Sequence, residues 1–124
     1  MNNTISGNII ASLDDGERWD VVAYLYRLST TAEELDTGKQ LYEANCASCH
    51  GPELQGTDKG PPFLHRVYEP SHHGDAAFQM AARNGVRAHH WKFGDMLPVP
   101  GLKPDDVAHI TAYVRMQQRK AGIR

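Results

Sequence analysis

Several things this sequence lacks narrow its class before any motif is read. It has no basic run or patch, and its formal net charge is -2 with histidine neutral, which argues against nucleic acid as a partner. No apolar stretch approaches the ~18–20 residues a membrane span requires. The opening Met1-Asn2-Asn3-Thr4 is polar and uncharged and does not read as a signal peptide. No segment carries the alternating pattern of a strand, so the chain reads as all-α. Hydrophobic residues are 40% and aromatics 8%, a thin supply for a self-sufficient core, and 124 residues suffice for one domain. There are only two cysteines.

Those two stand in Cys46-Ala47-Ser48-Cys49-His50. C-x-x-C-H is the attachment pattern of c-type haem. Two intervening residues space the thiols to add across the two vinyl groups of one porphyrin. The next side chain, His50, then lies under the ring and reaches the iron as proximal ligand. No βαβ pattern surrounds the pair, as a thioredoxin-like redox motif would need. A zinc site would want a fourth ligand, and His72-His73 and His89-His90 are adjacent pairs rather than the spaced pair of such sites. A bare Cys46–Cys49 disulfide would leave His50 unexplained.

A sixth iron ligand is offered by Met96. It lies in His90-Trp91-Lys92-Phe93-Gly94-Asp95-Met96-Leu97-Pro98-Val99-Pro100-Gly101, too rich in Gly and Pro for a regular helix. Prolines flanking Val99 stiffen the loop, which helps a weak thioether stay on iron. Met80 reads as core packing within a helix, Met116 as core or surface, and His109 as solvated.

Helices are expected at four places. Residues 13–29 place Trp19, Val22, Ala23 and Tyr26 on one face. Thr31 and Glu34 form a capping box for a helix to about Asn45, striped by Leu35, Gly38, Leu41 and Tyr42 and closed by the pentad. Residues 51–74 hold four glycines and four prolines and read as loop. A helix over 75–84 ends at a left-handed Gly85. The last starts at Pro104, with Asp105 and Asp106 complementing the dipole, and buries Val107, Ile110, Tyr113 and Val114.

This order of helix, C-x-x-C-H, proline loop, middle helix, methionine loop and closing helix resembles a class I c-type cytochrome domain over residues 36–124. The resemblance implies a class I cytochrome c fold of three main helices around one haem c, bound covalently through Cys46 and Cys49; the helix over residues 13–29 is an N-terminal extra outside it. It implies that the Pro61 carbonyl, in Gly60-Pro61-Pro62-Phe63-Leu64, accepts the Nδ1 proton of His50, with Pro62 the weaker candidate. It also implies that Gly38 lets the closing helix cross closely, near Tyr42 and Tyr113.

Residues 1–35 depart from that pattern. Leu13…Ala23-Tyr24-Leu25 repeats the spacing of Leu102…Ala112-Tyr113-Val114, and Val21 falls where Ile110 does. The segment therefore reads as a helical extension and a candidate remnant of a preceding cytochrome domain in a tandem, dihaem protein.

The expected function is one-electron transfer by a His50/Met96-ligated haem, an electron carrier rather than an enzyme. Redox partner proteins are expected to dock weakly and transiently, with little electrostatic steering. Haem attachment to this motif takes place outside the bacterial cytoplasm, so a periplasmic or otherwise exported location is expected. Two other readings stand beside this one. A five-coordinate haem enzyme or gas sensor follows if Met96 does not bind. A zinc-binding interaction module follows if Cys46, Cys49 and His50 take zinc.

Overall fold

The computed structural model describes residues 31–88 and 92–124. The helix expected over 13–29, and with it the tandem-domain expectation, lies outside the described residues, as do His89, His90 and Trp91. Among the described residues the order is α1 (Ala32–Asn45), α2 (Ala47–His50), a 3₁₀ turn (Arg66–Tyr68), α3 (Asp75–Asn84) and α4 (Pro104–Lys120). They contain no strand, only isolated antiparallel bridges at Thr57–Gly60 and Val86–Met96.

Local chemistry sets the helix ends. The Thr31 hydroxyl accepts the Glu34 backbone N–H at 3.2 Å and donates to the Glu34 carboxylate at 3.2 Å. Such a cap is worth about 1 kcal/mol. The start of α4 has Pro104 in its first turn, and the Lys103 N–H donates to Asp106 Oδ2 at 3.0 Å. Past its end the Ile123 N–H returns to the Gln118 carbonyl at 2.9 Å. The pentad does not merely close α1. Cys46 breaks the helix at φ -122° and ψ -31°, and residues 47–50 wind one further turn as α2.

The α1–α4 crossing is close because Gly38 faces it. A Cβ built on Gly38 would lie 2.1 Å from the His109 carbonyl oxygen and 3.1 Å from Tyr113 Cβ. Around this crossing Tyr42, Leu54, Phe63, Ile110, Tyr113 and Val114 form the core. The Tyr42 and Tyr113 rings meet at 5.6 Å.

Two expectations need correction. Met80 is 63% exposed rather than packed in the core. Phe78 points α3 at the core, and a residue two positions on projects to the opposite side of a helix. His109 is half-buried rather than solvated, and its Nδ1 is shut away without a hydrogen-bond partner among the described residues. Crossing over Gly38 brings that turn of α4 against α1.

Polar side chains also lie inside. Arg115 is 3% exposed and Gln118 1%. The Arg115 guanidinium donates to Asp75 Oδ1 at 2.8 Å, to the Tyr68 carbonyl at 2.6 Å and to the His73 carbonyl. It also lies 5.0 Å from the centre of the Phe78 ring. Gln118 Nε2 donates to the carbonyls of Phe63 at 3.0 Å and Tyr68 at 2.9 Å. The loop over residues 63–74 has little regular structure beyond its 3₁₀ turn, and these donors hold it to α4.

Candidate functional site

Helical winding through the pentad places its reactive side chains. The His50 N–H bonds the Cys46 carbonyl at 2.9 Å and the Cys49 N–H the same oxygen at 3.2 Å. Positions three and four apart on a helical turn share a face, so Cys46, Cys49 and His50 project to one side. Both thiols are free and half-buried. Burial, with a smaller contribution from Cys49, pushes the Cys46 thiol up to about 11, which keeps it a neutral thiol at pH 7.

His50 is buried, and its Nδ1 lies 2.9 Å from the Pro61 carbonyl oxygen. The bond falls on Pro61 and not on Pro62. A carbonyl can only accept, so Nδ1 carries the proton and the lone pair sits on Nε2. Burial pulls the imidazole below its ordinary value, against the smaller opposing effect of the Pro61 bond. The ring is therefore neutral at pH 7, the form that ligates a metal.

Around this turn the backbone is tightly tied. The Thr57 hydroxyl donates to the Cys49 carbonyl at 2.6 Å. The Tyr42 hydroxyl donates to the Gly51 carbonyl at 2.6 Å. Burial, then Cys46 and Tyr113, raises the Tyr42 phenol far above its ordinary value, so it remains a donor. Gly60 packs against the pentad so closely that an added Cβ would be 2.8 Å from the Cys49 carbonyl oxygen. Phe63, three residues on, stacks on the His50 ring with centroids 4.1 Å apart and planes 18° from parallel.

Met96 comes from a separate segment. Its N–H and carbonyl pair with Val86 at 2.8 Å and 2.9 Å, and its side chain is half-buried. The Val99 N–H bonds the Ala82 carbonyl at 2.8 Å, so the loop is stitched along the end of α3. Gly85 makes this possible. It does not adopt the left-handed helical conformation expected of it. Its φ of 75° and ψ of -177° fall in a region open to glycine almost alone. A Cβ there would stand 2.4 Å from the Met96 carbonyl oxygen. Gly85→Ala is expected to destabilise the protein by about 2 kcal/mol. Thermal unfolding of the purified variant measures this.

The structure thus gathers Cys46, Cys49, His50 and Pro61 and carries Met96 on a second, independently anchored segment. Sequence reasoning missed Phe63 and Gln118 as neighbours of this arrangement. A signal for Phe63 was present: Phe63 and Leu64 are adjacent bulky apolar residues directly after Pro61-Pro62, in a loop rich in glycine, proline and polar side chains. Among the described residues no three of His, Cys, Asp and Glu converge as ligands for a bare metal ion.

Two thiols and a neutral imidazole on one helical face, with the spare ring nitrogen unprotonated, form a donor set suited to a covalently held haem. The family model for cytochrome c matches residues 35–118. The chain belongs to the cytochrome c family, and membership implies a covalently bound haem c and haem-based electron transfer. No curated protein and no solved structure gives a match.

Proposed function

We propose that the protein carries single electrons on one haem c, attached at Cys46 and Cys49 and ligated by His50 and Met96. The observation that carries this reading is the Pro61 carbonyl 2.9 Å from His50 Nδ1, on the same helical turn as two free thiols. Bound there, the haem supplies a one-electron iron couple. Cys46 and Cys49 tether it through thioethers. Pro61 holds the His50 ring in one tautomer, turns Nε2 to the metal and raises the ring's basicity. Met96, on a loop pinned to α3, would supply a soft second ligand, which raises the potential relative to a second nitrogen.

Held by both His50 and Met96, the iron would offer substrate no open coordination site, which favours a carrier over an enzyme. Redox partner proteins dock weakly around the haem edge, and the net charge of -2 gives little steering. Among the described residues no helix is long and apolar enough to cross a membrane. Cytochrome c domains are typically exported, and we assign this one to the periplasm or another exported location. Residues 36–124 form the haem domain, and residues 1–35 are proposed as a helical extension and remnant of a preceding cytochrome domain.

The visible spectrum of the denatured, reduced protein in alkaline pyridine tests attachment, together with intact mass. A c-type spectrum with the mass of one added haem is expected. A colourless chain in which metal analysis finds zinc would replace this reading with the zinc module. Met96→Ala is then expected to abolish the near-infrared sulfur-to-iron charge-transfer band and to lower the potential. Persistence of the band would remove Met96 as ligand and favour another sixth group.

A further inference from the structure

We propose that Phe63 is a positioning residue that fixes the rotation of the His50 imidazole about its long axis, and that Gln118 acts through it from α4. The inference rests on the reading of His50 as an iron ligand. The Pro61 bond alone defines one point on the ring, at Nδ1, and about that single bond the ring plane can still rock. Phe63 supplies the second constraint. Its ring lies along the face of the imidazole at 4.1 Å and 18°. Rotation of either plane drives carbon atoms into contact.

A clamp works only if it is itself held, and Phe63 is held on every side the structure describes. The Tyr42, Tyr68 and Phe78 rings meet it at 6.3, 5.3 and 5.4 Å, at interplanar angles of 60°, 84° and 53°. Such steep contacts are favourable for aromatic rings and resist rotation of the ring they surround. Its backbone is fixed as well. The Phe63 carbonyl accepts from Gln118 Nε2 at 3.0 Å, and the next residue's N–H bonds the Leu54 carbonyl at 3.2 Å. Gln118 is locked in turn by Arg115, whose Nη1 donates to Gln118 Oε1 at 2.8 Å. A continuous series of contacts therefore runs from α4 to the ring of His50.

Ring orientation matters for a haem carrier because the plane of an axial imidazole selects which pair of pyrrole rings shares the unpaired electron of ferric iron. The four haem methyl proton shifts of the oxidised protein respond to that orientation, together with that of the Met96 thioether, whose retention the sulfur-to-iron band monitors. A rigidly held ring gives a wide, ordered spread, and a ring that rocks averages it.

The test uses the oxidised holoprotein. Phe63→Leu keeps an apolar side chain but removes the stack, and it is expected to narrow the methyl spread or change its order while the sulfur-to-iron band stays. Phe63→Tyr keeps the stack and is expected to restore the wild-type pattern. Gln118→Glu, nearly isosteric, removes the donors to Phe63 and Tyr68 and is expected to move the pattern in the same sense by less. Gln118→Glu decides alone if Phe63→Leu does not retain haem. Wild-type patterns in the haem-retaining variants overturn the proposal and leave Phe63 as core packing. If the wild-type protein shows no strongly shifted histidine ring protons, His50 is not the ligand, and the proposal falls with the reading beneath it.

Discussion

Gly38→Ala is expected to destabilise the holoprotein by about 3 kcal/mol, although alanine is the better helix former by about 1 kcal/mol. The two effects oppose each other, and distance decides between them. The added methyl would stand 2.1 Å from the His109 carbonyl oxygen and 2.7 Å from its carbonyl carbon. Both are backbone atoms of α4, which no rotamer change can move aside. The helices must separate or slide. Either response opens the packing of Tyr42 on Tyr113, whose rings touch at 5.6 Å. Tyr42 also anchors the end of the pentad through Gly51 at 2.6 Å, so damage at the crossing reaches the Cys46–His50 turn. Denaturant unfolding, followed by far-ultraviolet circular dichroism, measures the loss. An unchanged or raised midpoint would mean that the crossing has slack which the geometry does not show.

How much of this was legible in the residues follows from the range of the forces involved. Helix ends set by near neighbours were readable: Thr31 with Glu34, Pro104 with the following aspartates, and a glycine after Asn84. The Cys46–His50 turn was readable because its chemistry is encoded in consecutive positions. The burial of Arg115 was not. A cation late in an amphipathic helix ordinarily faces water, and its hydrogen-bond partners Tyr68, His73 and Asp75 lie at least 40 residues away in sequence. One hint existed: Thr111, Arg115 and Gln118 fall at helical spacing beside the stripe of Val107, Ile110 and Val114, and all six are buried. Met80 failed for the opposite reason. Its hydrophobicity suggested the core, but only the seating of Phe78 decides which side of α3 turns inward. The stack of Phe63 on His50 joins two loop-and-turn segments whose approach no periodicity announces.

Arg115→Met should cost about 3 kcal/mol, within the range for removing one partner of a buried ion pair. Methionine fills much of the volume, but it cannot donate to the His73 carbonyl or the Asp75 carboxylate. The Asp75 side chain is 32% exposed and recovers some hydration, which keeps the expected cost at the lower end of that range. The more informative effect is on Met96. Asp75 begins α3, and the loop bearing Met96 is bonded to Ala82 in the last turn of that helix and to Val86 just past its end. Arg115 is thus one of the ties that hold α3, and through it the Met96 loop, against α4; the Gln79 to Pro104 bond at 2.9 Å is another. Cutting the larger tie should loosen α3 before α1 and α4 separate. With Met96 as the proposed iron ligand, the sulfur-to-iron band of the holoprotein is then expected to disappear at lower denaturant than the helical signal. In the wild type the two transitions should lie closer together. A variant in which both signals vanish together would show that α3 and the Met96 loop unfold only with the whole domain. The coupling from Arg115 to the Met96 loop would then be absent, even if the loss of stability were as large as expected.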